Sequence, residues 1–177
     1  TVLRIGRTGG QVPALAARQR YGPDDGRWAV LRRDTTNFAG ADYAIIRDAG
    51  ANLPYLRTQQ YDNRWLNEPH FVGSFETEDF VYFLFREIAV EYMNCGKAIY
   101  SRVARVCKND PGGKTMLKDN WTTFVKARLN CSIPGEYPFY YNEIQGMTYF
   151  ADTGMVYATF TTHPEIAFLD QPFAHSI

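Results

Sequence analysis

The residues that could do chemistry in this sequence of 177 residues are three cysteines, three histidines and a few glycine-rich stretches. Cys95, Cys107 and Cys131 form no CxxC pair and the histidines are scattered, so the ligand spacing of a zinc site is missing. Gly113-Lys114-Thr115 resembles the end of a phosphate-binding loop, but Lys108 stands where that motif requires glycine. The G-x-S-x-G nucleophile elbow is also absent. The sequence therefore predicts no metal, no cofactor, no small-molecule substrate and no catalytic residue.

Cysteine count and glycosylation patterns bear on the compartment of the protein. Three is an odd number, which in a reducing compartment means lone thiols. In an oxidising compartment it means a free thiol, an intermolecular bridge, or bridging partners outside this chain. Asn120-Trp121-Thr122 and Asn130-Cys131-Ser132 match the acceptor pattern for N-linked glycans, so both asparagines are candidate glycosylation sites if the chain is secreted.

Charge is balanced overall but unevenly placed. The formal net charge is +0, so the basic footprint of a nucleic-acid binder is missing. Residues 97–128 nevertheless contain eight Lys or Arg against two acids, and residues 136–170 contain five acids and no Lys or Arg. Two interpretations stay open. In the first, the charges lie on solvated strand edges and loops, where they cancel one another; in the second, they steer a protein partner electrostatically. No apolar run approaches the ~20 residues needed to span a bilayer, and the N-terminus shows no signal-peptide pattern.

The elements that must position these residues are predicted to be strands. Aromatic residues make up 15% of the sequence, and they suit half-buried pleated surfaces. Residues 80–85 are apolar at both parities, which predicts a strand covered on both faces. Residues 123–131 alternate, which predicts a strand with Val125, Ala127 and Cys131 on the core face and Asn130 outward.

Further strands are predicted downstream and between these two. Residues 144–150 and 155–162 read as a hairpin joined by a turn at 151–154. Residues 99–107 also fit a helical stripe, but their neighbours favour a strand. Short strands separated by Asn, Asp, Gly and Pro turns predict an all-β sandwich, barrel or propeller.

From about residue 56 to residue 162 the sequence resembles the middle of a semaphorin sema domain. The resemblance rests on long motifs in the family's order: Trp65-Leu66-Asn67-Glu68-Pro69-His70-Phe71-Val72, Phe80-Val81-Tyr82-Phe83-Leu84-Phe85-Arg86-Glu87, Ser101-Arg102-Val103-Ala104-Arg105-Val106-Cys107-Lys108-Asn109-Asp110, Trp121-Thr122-Thr123-Phe124-Val125-Lys126-Ala127-Arg128-Leu129-Asn130-Cys131-Ser132 and Thr159-Phe160-Thr161-Thr162. The sequence of these motifs is most similar to that of invertebrate class 1 transmembrane semaphorins, with class 5 and class 6 as near alternatives.

The resemblance implies a seven-bladed β-propeller, of which this chain would supply roughly blade three and its neighbours. Residues 35–177 would be a partial sema domain and residues 1–34 a divergent N-terminal segment. The family implies an extracellular guidance ligand, secreted or the ectodomain of a single-pass membrane protein. It would bind plexin receptors, form a homodimer at full length, and need no cofactor or catalysis.

The resemblance also bears on the cysteines. The family's counterpart of Cys107 bonds to a cysteine far downstream, and the counterpart of Cys131 to one shortly after the Phe-Thr-Thr segment. Residues 163–175 contain no cysteine, so both usual partners are missing. A Cys107–Cys131 bond would require Cα atoms within ~7 Å and is not expected. Cys95 is either a buried thiol or an intermolecular bridge across a dimer.

Surface recognition is the predicted mode of action. Tyr137, Phe139, Tyr140 and Tyr141 are candidate receptor anchors, because aromatic residues are enriched at interfaces, although packing between blades would also explain them. One alternative is a truncated or rearranged semaphorin-like product without independent plexin binding. A more distant alternative is a propeller hydrolase, which would need an acid/base cluster in a pocket.

Overall fold

The computed structural model describes residues 3–5, 19–20, 29–33, 43–47, 53–59, 62–92 and 96–162. The predicted segment 1–34 lies largely outside these ranges and residues 163–177 wholly outside them, so the predicted domain boundaries stay predictions. The strands within the described ranges are β1 (Leu3–Ile5), β2 (Gln19–Arg20), β3 (Ala29–Arg33), β4 (Tyr43–Arg47), β5 (Leu56–Arg57), β6 (His70–Glu76), β7 (Phe80–Ile88), β8 (Ile99–Cys107), β9 (Val125–Arg128), β10 (Ser132–Ile133), β11 (Phe139–Tyr140), β12 (Glu143–Phe150) and β13 (Met155–Thr161). Short 3-10 helices span Val90–Tyr92 and Thr115–Leu117. In this described part, no helix is long and apolar enough to cross a bilayer.

A four-stranded antiparallel sheet, β6-β7-β8-β9, forms the centre of the described region. Its strand β7 pairs along its whole length with β8, from Phe80 opposite Cys107 to Ile88 opposite Ile99. Aromatic and branched side chains fill both faces of β7, since Phe83 belongs to one buried cluster and Leu84 to another. The prediction of a strand covered on both faces is therefore confirmed.

Two further sheets cover the two faces of this central sheet. On one face, Ile45 and Leu56 of the β2-β3-β4-β5 sheet pack with Phe83 in the first core. On the other face, Ile144 and Phe160 of the β1-β13-β12 sheet pack in the second core, which also contains Leu84. Antiparallel sheets that stack one after another in this way have the arrangement of neighbouring blades in a β-propeller. The chain thus forms part of an all-β propeller.

The other strand predictions have mixed outcomes. Residues 99–107 are a strand rather than a helix, and β12 and β13 form the predicted hairpin around the turn at 151–154. The predicted core face of the strand at 123–131 is wrong at Val125 and Ala127, which are exposed. The physical reason is that β9 is the outermost strand of its sheet and pairs only with β8 in the described residues. The alternation holds further along, where Cys131 is buried in the second core and Asn130 is exposed.

Candidate protein-interaction surface

The loop between β8 and β9 is held in place by the carboxylate of Asp110, whose residue is only 1% exposed. One oxygen accepts hydrogen bonds from the Gly112 N–H at 2.8 Å and the Thr122 hydroxyl at 2.7 Å. The other accepts from the N–H of Thr122 at 2.8 Å and from the N–H and hydroxyl of Thr123 at 2.9 and 2.7 Å. Burial alone would raise the pKa of Asp110, but these hydrogen bonds outweigh it and hold the pKa below its usual value.

A buried arginine ties the same loop to the preceding sheet. The Arg47 guanidinium, at the end of β4, donates to the carbonyl oxygens of Lys108 at 3.0 Å and Asp110 at 2.6 Å. It also lies 5.2 Å from the centroid of the Trp121 ring, whose indole N–H donates to the Ile45 carbonyl at 3.0 Å. Motif residues that carry the family resemblance therefore fasten one blade to its neighbour.

The free end of this loop presents an apolar tip to solvent. Met116 is 93% exposed and Leu117 is 52% exposed, and the neighbouring Lys114 and Lys118 are exposed as well. Thr115, which precedes the tip, has a φ of 55°, in the left-handed region that a β-branched side chain rarely adopts. We call residues 114–118 the Met116 loop.

Near the end of β7, at the opposite end of the sheet from the Met116 loop, a buried carboxylate binds two cationic side chains. The Glu87 side chain is 0% exposed and accepts hydrogen bonds from Arg102 Nε at 2.9 Å and from Lys126 Nζ at 2.5 Å. Arg102 also bonds both oxygens of Glu91 at 2.7 Å. Burial lowers the pKa of the Lys126 ammonium, against the opposing effect of Glu87. Two cations of the basic stretch at 97–128 are therefore used inside the blade.

The predicted aromatic anchors lie on and beside the β10-β11 hairpin and separate into two kinds. Tyr137 is 88% exposed and Tyr140 is 41% exposed. Phe139 and Tyr141 are half-buried and contact each other edge to face at 5.1 Å, and Tyr141 packs against the second core. Their alternative role, packing, thus describes these two, while Tyr137 and Tyr140 are available to a partner.

An exposed arginine connects this hairpin to the outer edge of the blade. The Arg128 guanidinium carbon, at the end of β9, lies 3.6 Å from the centroid of the Tyr100 ring and 5.8 Å from that of Tyr140. Its guanidinium donates to the Asn142 side-chain oxygen at 3.3 Å. Stacking of this kind leaves guanidinium N–H groups directed outward, where they can bind carboxylates.

Most of the exposed large hydrophobic side chains lie in the part of the chain between β8 and β12. Within the described residues, nine large hydrophobic side chains are exposed, and six of them lie on β9, on the Met116 loop before it, or on the β10-β11 hairpin after it. These six are Met116, Leu117, Val125, Ile133, Tyr137 and Tyr140. We call this surface the outer flank. Tyr137 and Tyr140 are among the predicted anchors, and their role as anchors stays a prediction. The Met116 loop was not predicted, and its available signal was two apolar residues between lysines in a turn-rich segment.

The cysteines and sequons are placed as follows. Cys107 is half-buried and Cys131 is buried, and both are free thiols. Burial raises the pKa of the Cys131 thiol. Cys95 lies outside the described residues. Asn130 is exposed and Asn120 is half-buried. The predicted bridges and glycans stay predictions.

A polar cavity of about 740 Å³ opens beside Glu87, where β7 ends and β8 begins. Its lining includes Glu68, His70, Arg86, Lys97 and Glu143. Burial and the nearby Arg86 lower the pKa of His70. The Arg86 guanidinium donates to the Ile144 carbonyl at 2.7 Å. Across the described ranges, no group of three or more His, Cys, Asp or Glu is arranged to hold a metal ion. The expectation that the chain is not an enzyme stays a prediction.

Comparison with known proteins assigns the family. No protein-family model matches the chain. Semaphorin 5c of Drosophila melanogaster is 62% identical over 129 residues, which are 72% of this chain and 12% of that protein. The solved structure of Drosophila Semaphorin 2a matches with a TM-score of 0.69 and 50% identity, over 76% of this chain and 23% of that one. The chain belongs to the semaphorin family.

A second similar structure is a complex of a semaphorin with a plexin. A chain in the structure of Drosophila Plexin A in complex with Semaphorin 1b matches with a TM-score of 0.63 and 46% identity, over 77% of this chain and 26% of that one. The semaphorin chain described here thus spans about a quarter or less of the proteins it matches. These relatives come from classes 5, 2 and 1, so the predicted class 1 assignment is not resolved, whereas the predicted sema propeller is confirmed.

Proposed function

We propose that this semaphorin chain is an extracellular guidance-ligand module that binds a plexin receptor through the outer flank of its central blade. The observation that carries the proposal is its 46% identity to a chain in the complex of Plexin A with Semaphorin 1b, over 77% of its own length. The whole protein is an extracellular ligand, secreted or anchored by one membrane span, in this proposal.

The chemistry of the outer flank supports a protein partner. Tyr137 and Tyr140 are exposed, and Arg128 stacks beside Tyr140. Tyrosine and arginine are enriched among the residues that dominate binding energy at protein interfaces. Tyrosine also presents a large apolar area with few rotatable bonds, so that little conformational entropy is lost when it is immobilised by a partner.

Binding of the secreted chain to an immobilised plexin ectodomain tests the proposal. We expect Tyr137→Ala and Tyr140→Ala each to weaken the affinity by about 10- to 30-fold, as hot-spot truncations do. Tyr157→Ala is the matched control, because Tyr157 is also partly exposed but lies on β13, away from the outer flank. Circular dichroism of each variant confirms that the fold is retained.

Two results would contradict the proposal. A folded wild-type chain that does not bind plexin would favour the alternative of a truncated or rearranged semaphorin-like product. Equal loss of affinity in Tyr157→Ala and Tyr137→Ala would place the binding elsewhere.

Assembly is a separate part of the proposal. The full-length protein forms a homodimer, and Cys95 bridges the two copies. Non-reducing gels of the wild type and Cys95→Ser test this bridge, and identical migration as monomers would rule it out.

A further inference from the structure

The Met116 loop is the most exposed apolar feature of the described residues, and it is held in a strained conformation. Met116 is 93% exposed, above the values of all other exposed large hydrophobic side chains in those residues. Thr115 holds a φ of 55°, which costs about 1–3 kcal/mol for a residue other than glycine. Such strain persists only where the surroundings fix the backbone, and it clusters at functional positions.

Several contacts fix the backbone on both sides of this tip. Gly112 has a φ of 80°, and a Cβ there would lie 2.5 Å from the Lys118 carbonyl oxygen. A Cβ on Gly113 would lie 2.5 Å from the Leu117 carbonyl oxygen. The buried Asp110 carboxylate holds the start of the loop through Gly112 N–H. The loop therefore displays its side chains on a fixed frame, and binding requires little further ordering.

The charges beside the tip indicate the chemistry of a partner. Lys114 and Lys118 are exposed on either side of Met116, and the described residues provide no ion pair for either. An apolar knob between two ammonium groups complements an apolar slot whose rim carries carboxylates. Methionine suits such a slot because its flexible, polarisable side chain adapts to irregular surfaces.

The Met116 loop and the tyrosine hairpin lie on either side of β9 in the chain. They are joined by β9, whose four residues extend about 13 Å, and Val125 on this strand is 54% exposed. A standard interface covers about 800 Å² on each partner, or roughly 30 Å across. A partner that contacts both would cover an area of this order and would also contact Val125 between them.

We propose that the Met116 loop is a second plexin anchor, which inserts Met116 into a carboxylate-rimmed apolar slot of the receptor. This inference rests on the proposed function and extends it to residues on the opposite side of β9 from the tyrosines. Lys114 and Lys118 steer the encounter, and Met116 slows dissociation.

Plexin-binding kinetics of the full chain test the proposal with two matched pairs. Met116→Ala should weaken plexin affinity about tenfold, mainly through faster dissociation, whereas Phe150→Ala, which removes a half-exposed apolar side chain on β12, should not. Lys114→Glu should lower the association rate several-fold at low salt and converge on the wild type at high salt, whereas Lys97→Glu, at the other end of β8 from the Met116 loop, should not.

The outcomes separate this inference from the proposed function. If the wild type binds plexin and Met116→Ala binds equally well, the inference is overturned and the proposed function stands. If the folded wild type does not bind, both fall. A third result is also possible. If Met116→Ala binds phosphatidylserine-containing vesicles more weakly than the wild type but binds plexin equally well, the loop is a membrane contact and the inference is overturned.

Discussion

Replacement of Asp110 by asparagine tests whether the β8–β9 loop is anchored as the structure indicates. The carboxylate accepts five hydrogen bonds, three from backbone N–H groups and two from hydroxyls. An asparagine amide offers one oxygen, so in its best orientation the Gly112 N–H meets an NH₂ group and loses its acceptor. Three bonds to the amide oxygen remain without the assistance of the negative charge, and the Thr122 hydroxyl, which donated to the replaced oxygen, must turn to accept from the NH₂ group.

The size of the effect follows from these bonds. A hydrogen bond to a charged group contributes about 1.5–3 kcal/mol, and a buried donor left without an acceptor costs a further 1–3 kcal/mol or so. Because the Thr122 hydroxyl can rotate to accept from the new amide, we expect Asp110→Asn to lower the free energy of unfolding by about 3 kcal/mol. For a chain of this length, that loss corresponds to a fall in Tm of roughly 6–12 °C.

Urea unfolding, followed by tryptophan fluorescence, measures the change, since Trp121 is buried against Arg47 beside the loop. Asp119→Asn is the control, because it makes the same chemical change at an exposed position on the same loop and should alter stability by less than about 0.5 kcal/mol. Equal stabilities of the two variants would refute the anchoring role of Asp110.

The pH dependence gives a second measurement on the same residue. Burial raises the pKa of Asp110 but its hydrogen bonds lower it further, so the folded-state pKa lies below that of the unfolded chain, about 3.9. The unfolded state then binds the proton more tightly, and the contribution of Asp110 is present above about pH 4 and lost as the pH falls through the folded-state pKa. Asp110→Asn removes this part of the acid sensitivity, so its stability should fall less steeply than that of the wild type below pH 4.

Two further substitutions test other parts of the scaffold by urea unfolding. Glu87→Gln leaves two cations beside a neutral buried side chain and should cost about 3–5 kcal/mol, whereas Glu91→Gln, whose side chain is 52% exposed, should cost less than about 1 kcal/mol. Equal effects would contradict the buried network. Gly112→Ala should cost more than about 2 kcal/mol, because φ is 80° and its Cβ would meet the Lys118 carbonyl at 2.5 Å. Gly154→Ala, with a φ of 62° and open space around it, should cost only about 1 kcal/mol, and a reversed order would refute the steric argument.

Sequence patterns predict the strands of this fold where local burial follows the chain, and fail where burial depends on a strand's place in the sheet. The apolar run at 80–85 lies on a strand between two cores, and Val81, Phe83, Leu84 and Phe85 are buried in them. Val125 and Ala127 have the alternation of a core-facing strand, but β9 is the outermost strand of its sheet and both side chains are exposed. Nothing in the local pattern distinguishes an outer strand from an inner one.

Long-range polar contacts were equally beyond prediction. Arg47 donates to the backbone of Lys108 and Asp110, 61 and 63 residues away. Its own surroundings in the sequence give no indication that it is buried. The aromatic anchors, by contrast, carried a usable signal: Tyr140 is exposed between half-buried Phe139 and Tyr141, which is the alternation of a short strand.

The positions of the motif residues explain why family and function need separate tests in this chain. Asp110, Trp121, Thr122 and Thr123 carry the resemblance to semaphorins, and all four take part in the contacts that fix the β8–β9 loop. Such residues report the propeller scaffold. The proposed receptor recognition relies instead on side chains that the scaffold presents to solvent, such as Met116 on the loop that Asp110 anchors. Substitution of Asp110 should therefore reduce stability and binding together, whereas substitution of Met116 should reduce binding alone.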